Sequence, residues 1–189
     1  MITEKQLKIF EVFAKKPFAE YTRNEIKKES NESSNNKLAF TINLLKKEDV
    51  LIERKIGKSG LLTLNLNNDL TFYYIALCNN NRIHHLAKLA LENMKKEISE
   101  DTPFCSIVIF GSYAINQQKK GSDLDVAIFI ESEGNRKQIE ASVINAKLKS
   151  ILETDAHVIP KSEMLEMLLS KEENLGKQIA RKHIAVYNQ

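Results

Sequence analysis

The stretch Ile107 to Ile130, IVIFGSYAINQQKKGSDLDVAIFI, constrains this chain more than any other. Four apolar β-formers, Ile107 to Phe110, run into Gly111-Ser112, and ten residues later come Asp123, Leu124 and Asp125, followed by the apolar run Val126 to Ile130. The pattern predicts a buried strand, a tight turn, a short helical segment and a second buried strand. Successive side chains on a strand point to opposite faces, so Asp123 and Asp125 share one face with α-carbons about 6.6–7 Å apart. Two carboxylates at the edge of an apolar strand call for a counter-charge. Two Mg²⁺ ions about 3.5–4 Å apart, bridged by phosphate oxygens, would supply it.

Gly111-Ser112 offers the complementary half. A glycine at a strand end lets backbone approach a ligand closely, and a helix starting at Ser112 aims free N–H groups and a positive dipole end at an anion. The ligand implied is a triphosphate held between amides and metal. An EF-hand reading of the acidic pair fails, because Val126-Ala127-Ile128 supply neither oxygen side chains nor the turning glycine. A Walker-type phosphate loop fails as well, since no Gly-Lys-Ser/Thr stands at the needed interval.

Gly-Ser, ten residues, then Asp-x-Asp within apolar surroundings resembles the signature of the DNA polymerase beta nucleotidyltransferase superfamily, and most closely its minimal nucleotidyltransferase branch. The resemblance implies an α/β (α+β) domain with a mixed sheet. It also implies that Asp123 and Asp125 hold two Mg²⁺, that Gly111 and Ser112 hold the triphosphate, and that a later strand gives a third carboxylate. Asp155, opening Asp155-Ala156-His157-Val158-Ile159, matches that third position. The chain departs from the family in carrying Ala114-Ile115-Asn116 where many members have Ala-Arg-Gly, and Lys119 and Lys120 in the same loop are the substitute cations. The implied reaction moves a nucleoside monophosphate from a nucleoside triphosphate, ATP foremost, to an acceptor hydroxyl on protein, RNA or a small molecule.

At 189 residues the chain holds one large or two small domains, and 42% hydrophobic content suffices for real cores. No apolar run reaches the about 18 residues of a membrane span, and the start MITEKQLKIF lacks a charged-then-apolar leader, so the expectation is a cytoplasmic protein. Cys78 and Cys105 match no metal-ligand spacing and read as reduced, buried residues. The net charge of +3 is unevenly spread: residues 1–67 carry 13 Lys+Arg against 9 Asp+Glu, the remainder 15 against 16. A polyanion would meet the N-terminal third.

That third predicts a helix behind Thr3, a second behind the capping-box sequence Thr22-Arg23-Asn24-Glu25, and a third over about 35–48 with Leu38, Ile42 and Leu45 on one stripe. A hairpin follows, Leu51 to Ile56 and Leu61 to Leu66 about Gly57-Lys58-Ser59-Gly60. This arrangement resembles a small winged helix-turn-helix domain. The resemblance would place Asn36, Lys37, Asn43 and Lys47 on a recognition helix and Lys55 and Lys58 on a wing, against duplex DNA. Phe40 and Leu44 fall on the same outward side, which favours dimerisation or interdomain packing as the rival reading.

The expected organisation is a winged helix at 1–67, a connecting helical segment at 68–102 and the catalytic domain at 103–189. The connecting segment reads as one helix or two broken near Asn79-Asn80-Asn81. Tyr73 and Tyr74 are conceivable acceptors but read as packed aromatics, and adjacent His84 and His85 face different sides of a helix. Ser162 reads as a helix cap and the segment 172–187 as amphipathic with a basic end, Lys177, Arg181 and Lys182. His157 shares the face of Asp155 by alternation. Two other classes stay open: a DNA-binding regulator whose nucleotidyltransferase domain senses nucleotide or dimerises, and an antitoxin-type protein paired with a HEPN-type partner, as members of this branch are.

Overall fold

Capping residues and apolar periodicity lay out the first helices as the sequence requires. The computed structural model describes residues 2–57 and 59–188, in two compact units, Met1–Asn81 and Arg82–Gln189. In the first unit, α1 (Glu4–Lys15) starts behind Thr3, whose hydroxyl accepts from the Gln6 amide while the Gln6 side chain accepts from the Thr3 amide at 2.7 Å. Thr22 and Glu25 make the same reciprocal box at the head of α2 (Arg23–Glu29). Each box satisfies two amides that a helix start leaves without partners. Ser34 caps α3 (Asn35–Lys47), which buries Leu38, Thr41, Ile42 and Leu45.

The short strand β1 (Tyr21–Thr22) pairs antiparallel with β3 (Ser59–Leu64), which pairs antiparallel with β2 (Leu51–Ile56), giving the order β1-β3-β2. Phe10, Phe13, Ile26, Leu45 and Val50 are fully buried between helices and sheet. Helix α4 (Asp69–Arg82) adds Tyr74 and Cys78 to that core. The Tyr74 ring meets Phe10 edge-on, and its hydroxyl donates to Glu48 at 2.9 Å. Burial, and then that carboxylate, push the Tyr74 phenol up to about 12.

In the second unit, α5 (His85–Ser99) begins behind His84, whose Nδ1 accepts from the Leu86 amide. The helical break therefore falls at Ile83-His84, after the asparagine run, because the His84 side chain supplies the cap. The strands β4 (Cys105–Ile109), β5 (Leu124–Ile130), β6 (Thr154–Pro160) and β7 (Ile184–Asn188) form one sheet in the order β6-β5-β4-β7. β5 and β6 run parallel and the other pairs antiparallel, so the sheet is mixed.

Alternation along β5 sorts the two faces. Leu124, Val126, Ile128 and Ile130 join Ile107 and Ile109 under α5 and α7 (Arg136–Leu148), in a core with Ala87, Met94, Ile98, Ile139 and Val143. Val108, Phe110, Ala127 and Ile159 face the other way, against Ile179 of α9 (Leu175–Arg181) and Met164 of α8 (Lys161–Leu169). Asp125 stands on this second face.

The amphipathic tail divides between two elements: α9 stops at Arg181, and Ile184 to Asn188 become β7 beside β4. The β-branched Ile184 and Val186 pack on the sheet core, a tertiary pairing that overrides the helical period. α8 starts directly after Pro160 without a side-chain cap, and Ser162 lies inside its first turn. No helix among the described residues is long and apolar enough to cross a membrane.

Candidate functional site

The second face of the sheet ends in a corner where β4 leaves the sheet. Gly111 there has φ +62°, and the chain enters the four-residue helix α6 (Gly111–Ala114). The Phe110 amide donates to the Asp125 carbonyl at 3.0 Å, which ties the corner to β5. A Cβ on Gly111 would lie 2.0 Å from Oδ2 of Asp125, so the carboxylate rests directly on the glycine. The Ser112 amide lies near enough to the Asp125 carboxylate to favour its charged form. The carboxylate beside the amide expected to face an anion is thus a side chain of the protein itself.

Asp125 and Asp155 are register partners on the parallel strands β5 and β6, which places their side chains on one face as neighbours. Asp123 stands two residues before Asp125, just outside the strand, and is exposed. Burial of Asp125, then the charge of Asp155, then that of Asp123, push the Asp125 carboxyl above its ordinary range. The His157 ring and the Ser112 amide oppose that rise. His157 is part of the cluster: its Nε2 lies 3.3 Å from Oδ2 of Asp155, and its ring packs near Phe110 at a centroid distance of 6.1 Å. Alternation along β6 was the signal for it.

The loop between α6 and β5 is folded on itself. The Lys119 amide donates to Ser122 Oγ at 2.9 Å, the Ser122 amide to the Lys119 carbonyl at 3.0 Å, and the Tyr113 hydroxyl to the Ser122 carbonyl at 3.5 Å. These bonds turn Lys119 and Lys120 out to solvent. With Asp123, both lysines line a cleft of about 510 Å³ to which Gly111 and Ser112 do not contribute.

Five of the expected residues, Gly111, Ser112, Asp123, Asp125 and Asp155, thus gather at one end of the sheet, and Lys119 and Lys120 share only the Asp123 side of it. Among the described residues no group of three or more His, Cys, Asp or Glu side chains stands arranged to hold a metal ion. The donor set nevertheless fits Mg²⁺: three carboxylates, all hard oxygen donors, stand near enough for Asp155 and Asp123 to raise the Asp125 carboxyl, a repulsion that a divalent cation would relieve.

The expected DNA-contacting residues lie in the other unit. Asn36, Asn43 and Lys47 are exposed on α3, Lys37 is half-buried in an ion pair with Glu32, and Lys55 is exposed on β2. Lys58 lies outside the described residues. Ion pairs also occupy Lys46, with Glu53, and Arg54, with Glu20.

The family described as "Nucleotidyltransferase domain" matches residues 91–182, a span that holds the whole acidic cluster and the glycine corner. A protein of Methanocaldococcus jannaschii, "Putative protein adenylyltransferase MJ1215", is 36% identical over 78 residues, which are 41% of this chain and 87% of that relative. A solved structure, "Crystal structure of the toxin-antitoxin with AMP-PNP", superposes with a TM-score of 0.34 and 18% identity over 52% of this chain and 73% of that one, too slight a likeness to bear on function. With a relative of that identity spanned almost end to end, and the matched span centred on the acidic corner, the chain belongs to the nucleotidyltransferase family.

Proposed function

We propose that the protein transfers the adenylyl group of ATP to a hydroxyl of a polypeptide. The observation that carries this reading is the in-register pair Asp125 and Asp155 beside the Gly111-Ser112 corner. The name of the Methanocaldococcus jannaschii relative supports the adenylyl donor and the protein acceptor. Asp123, Asp125 and Asp155 would hold two Mg²⁺, which when bound neutralise phosphate oxygens and polarise the α-phosphorus.

The chain's own groups do the rest. Turning Asp125 away from Gly111 releases the Ser112 amide for the triphosphate, and Lys119 and Lys120 add positive charge near its tail. The acceptor oxygen attacks the α-phosphorus in line, the bond from that phosphorus to the bridging oxygen breaks, and pyrophosphate leaves. The exposed Asp155 carboxylate takes the hydroxyl proton, with His157 holding its Oδ2. The test is label transfer from α-³²P-ATP to an acceptor in the presence of Mg²⁺ and in EDTA. Label should appear on protein with Mg²⁺ alone; equal transfer in EDTA, or transfer only from other triphosphates, would contradict the proposal.

The N-terminal unit supports a second role, duplex DNA binding as a winged helix. Asn36, Phe40, Asn43 and Lys47 recur at helical spacing on the exposed side of α3, a stripe of hydrogen-bonding, apolar and cationic groups of the kind that reads a major groove. Neither Lys47 nor Lys55 makes an ion pair among the described residues. Replacing both by alanine should flatten the slope of log affinity against log salt by about 2, one counterion per lost phosphate contact. An unchanged slope, measured by fluorescence anisotropy on a duplex, would remove DNA from consideration.

A further inference from the structure

We propose that the outer edge of β6 is the docking groove of the acceptor polypeptide, which adds to the sheet as an extended strand. The proposal rests on the transfer reading above and deepens it by stating how the acceptor is presented. β6 is the last strand of the order β6-β5-β4-β7 and has one strand neighbour, β5. The Leu124 amide donates to the Glu153 carbonyl, so in the alternating ladder the backbone groups of residues 155, 157 and 159 turn toward β5. Those of Ala156 and Val158 therefore turn outward. Among the described residues no backbone or side-chain group is hydrogen-bonded to them. A row of such groups is the template on which strand addition builds.

The edge opens into a groove of about 360 Å³, with Ile144 of α7 on one wall and Leu175 on the other. Its charges are sorted by chain direction. β5 and β6 are parallel, so the connecting α7 runs back against β6. Its last turn sets Lys147 near the Asp155 end, and its first turn sets Arg136 at the far end. Lys147 is exposed and makes no ion pair among the described residues. Arg136 is surrounded by Glu133, Glu140 and Glu163. Lys147 thus puts an unpaired cation on the groove wall toward the catalytic cluster, and the far end is net negative. The occupant it fits is an extended peptide with an acidic side chain near the acceptor hydroxyl and a basic one farther along.

Side chains of an added strand alternate between faces, and only one face holds Asp155 and His157. The probes are synthetic peptides of about ten residues, alternating valine and glutamine with acidic and basic ends, in which one tyrosine, the sole hydroxyl side chain, is moved stepwise along the strand. With α-³²P-ATP and Mg²⁺, tyrosine labelling should rise and fall with period two, and a central proline should lower it about tenfold through lost ladder bonds. Lys147→Glu should invert the preference between this peptide and its charge-swapped twin by about two- to fivefold. Amide hydrogen exchange gives a readout independent of chemistry: peptide should slow exchange at Ala156 and Val158.

Labelling indifferent to tyrosine position, a proline-interrupted peptide labelled equally well, or unchanged exchange at Ala156 and Val158 would each overturn the proposal. So would slow exchange at those amides before peptide is added, rising with protein concentration, because a second copy would then own the edge. Absence of label on every acceptor, with no thermal shift from ATP and Mg²⁺, would sink the transfer reading instead and leave the exchange result to decide the docking.

Discussion

Replacing Asp125 with asparagine is expected to stabilise the metal-free protein and to abolish nucleotidyl transfer in the same molecule. The carboxyl of Asp125 sits above its ordinary range, first through burial and then through the charges of Asp155 and Asp123. A carboxyl whose pKa is raised by folding contributes stability that is fully present below its unfolded value and is lost as pH rises through the folded one. At neutral pH the charged Asp125 therefore works against the fold, and asparagine, isosteric and neutral, removes that opposition. The gain in melting temperature should be visible at pH 7 and vanish at pH values below the unfolded carboxyl range. Because the group is half-exposed, solvent screening keeps the gain small.

The catalytic effect runs the other way. An asparagine is a neutral and weaker ligand for a divalent cation shared with Asp155, and removing one charged group from a site that stabilises a transferring phosphoryl group costs about 10³-fold or more. Titrating Mg²⁺ by thermal shift separates the two effects. The parent protein should gain stability with Mg²⁺ as a specific ligand of the folded state, by about 2.7 kcal/mol at a hundred times the dissociation constant, and D125N should gain little. A variant that melts lower than the parent at pH 7, or responds equally to Mg²⁺, would show that the three carboxylates are not a strained cation site.

The acidic corner was legible in the sequence because its parts are local. Ile107 to Phe110 and Val126 to Ile130 announce strands by composition, and alternation along β5 sets the face of Asp125, while Asp123 lies one residue before the strand begins. The capping boxes at Thr3 and Thr22 depend on residues three apart, and the second was readable for that reason. What failed to show is nonlocal. β7 is a strand because β4 offers it a free edge, a fact written nowhere in residues 184–188. Nor does any spacing rule reveal that the Asp125 carboxylate rests on Gly111, because both were read as partners of a ligand and not of each other. The positive charge that Arg54 adds beside Lys55 on β2 is met by Glu20, 34 residues away from Arg54 in sequence. Charge counts along a chain cannot see such pairings.

Gly111→Ala is expected to damage both stability and transfer, and the two losses have different causes that can be separated. An alanine at φ +62° carries the strain of the left-handed region, about 1–2 kcal/mol. Gly57 has nearly the same angle, φ +57°, and an added Cβ there meets nothing within 4 Å, so Gly57→Ala measures the strain alone. At Gly111 the Cβ would also stand 2.0 Å from Oδ2 and 2.8 Å from Cγ of Asp125, and the carboxylate must swing aside. Displacing a reacting group by about an ångström costs about 10²-fold in rate, so transfer should fall by at least that much while Gly57→Ala leaves only the stability loss. The severe part of the collision is with the carboxylate; alanine at 125 keeps only a Cβ 3.3 Å away, a contact that a shift of a few tenths of an ångström relieves. In an Asp125→Ala background, Gly111→Ala should therefore cost little more stability than Gly57→Ala does in the parent, a coupling that a thermodynamic cycle reads directly. Additive losses would mean that glycine is required at this corner for its backbone angle alone, and that the contact between Gly111 and Asp125 does not organise the site.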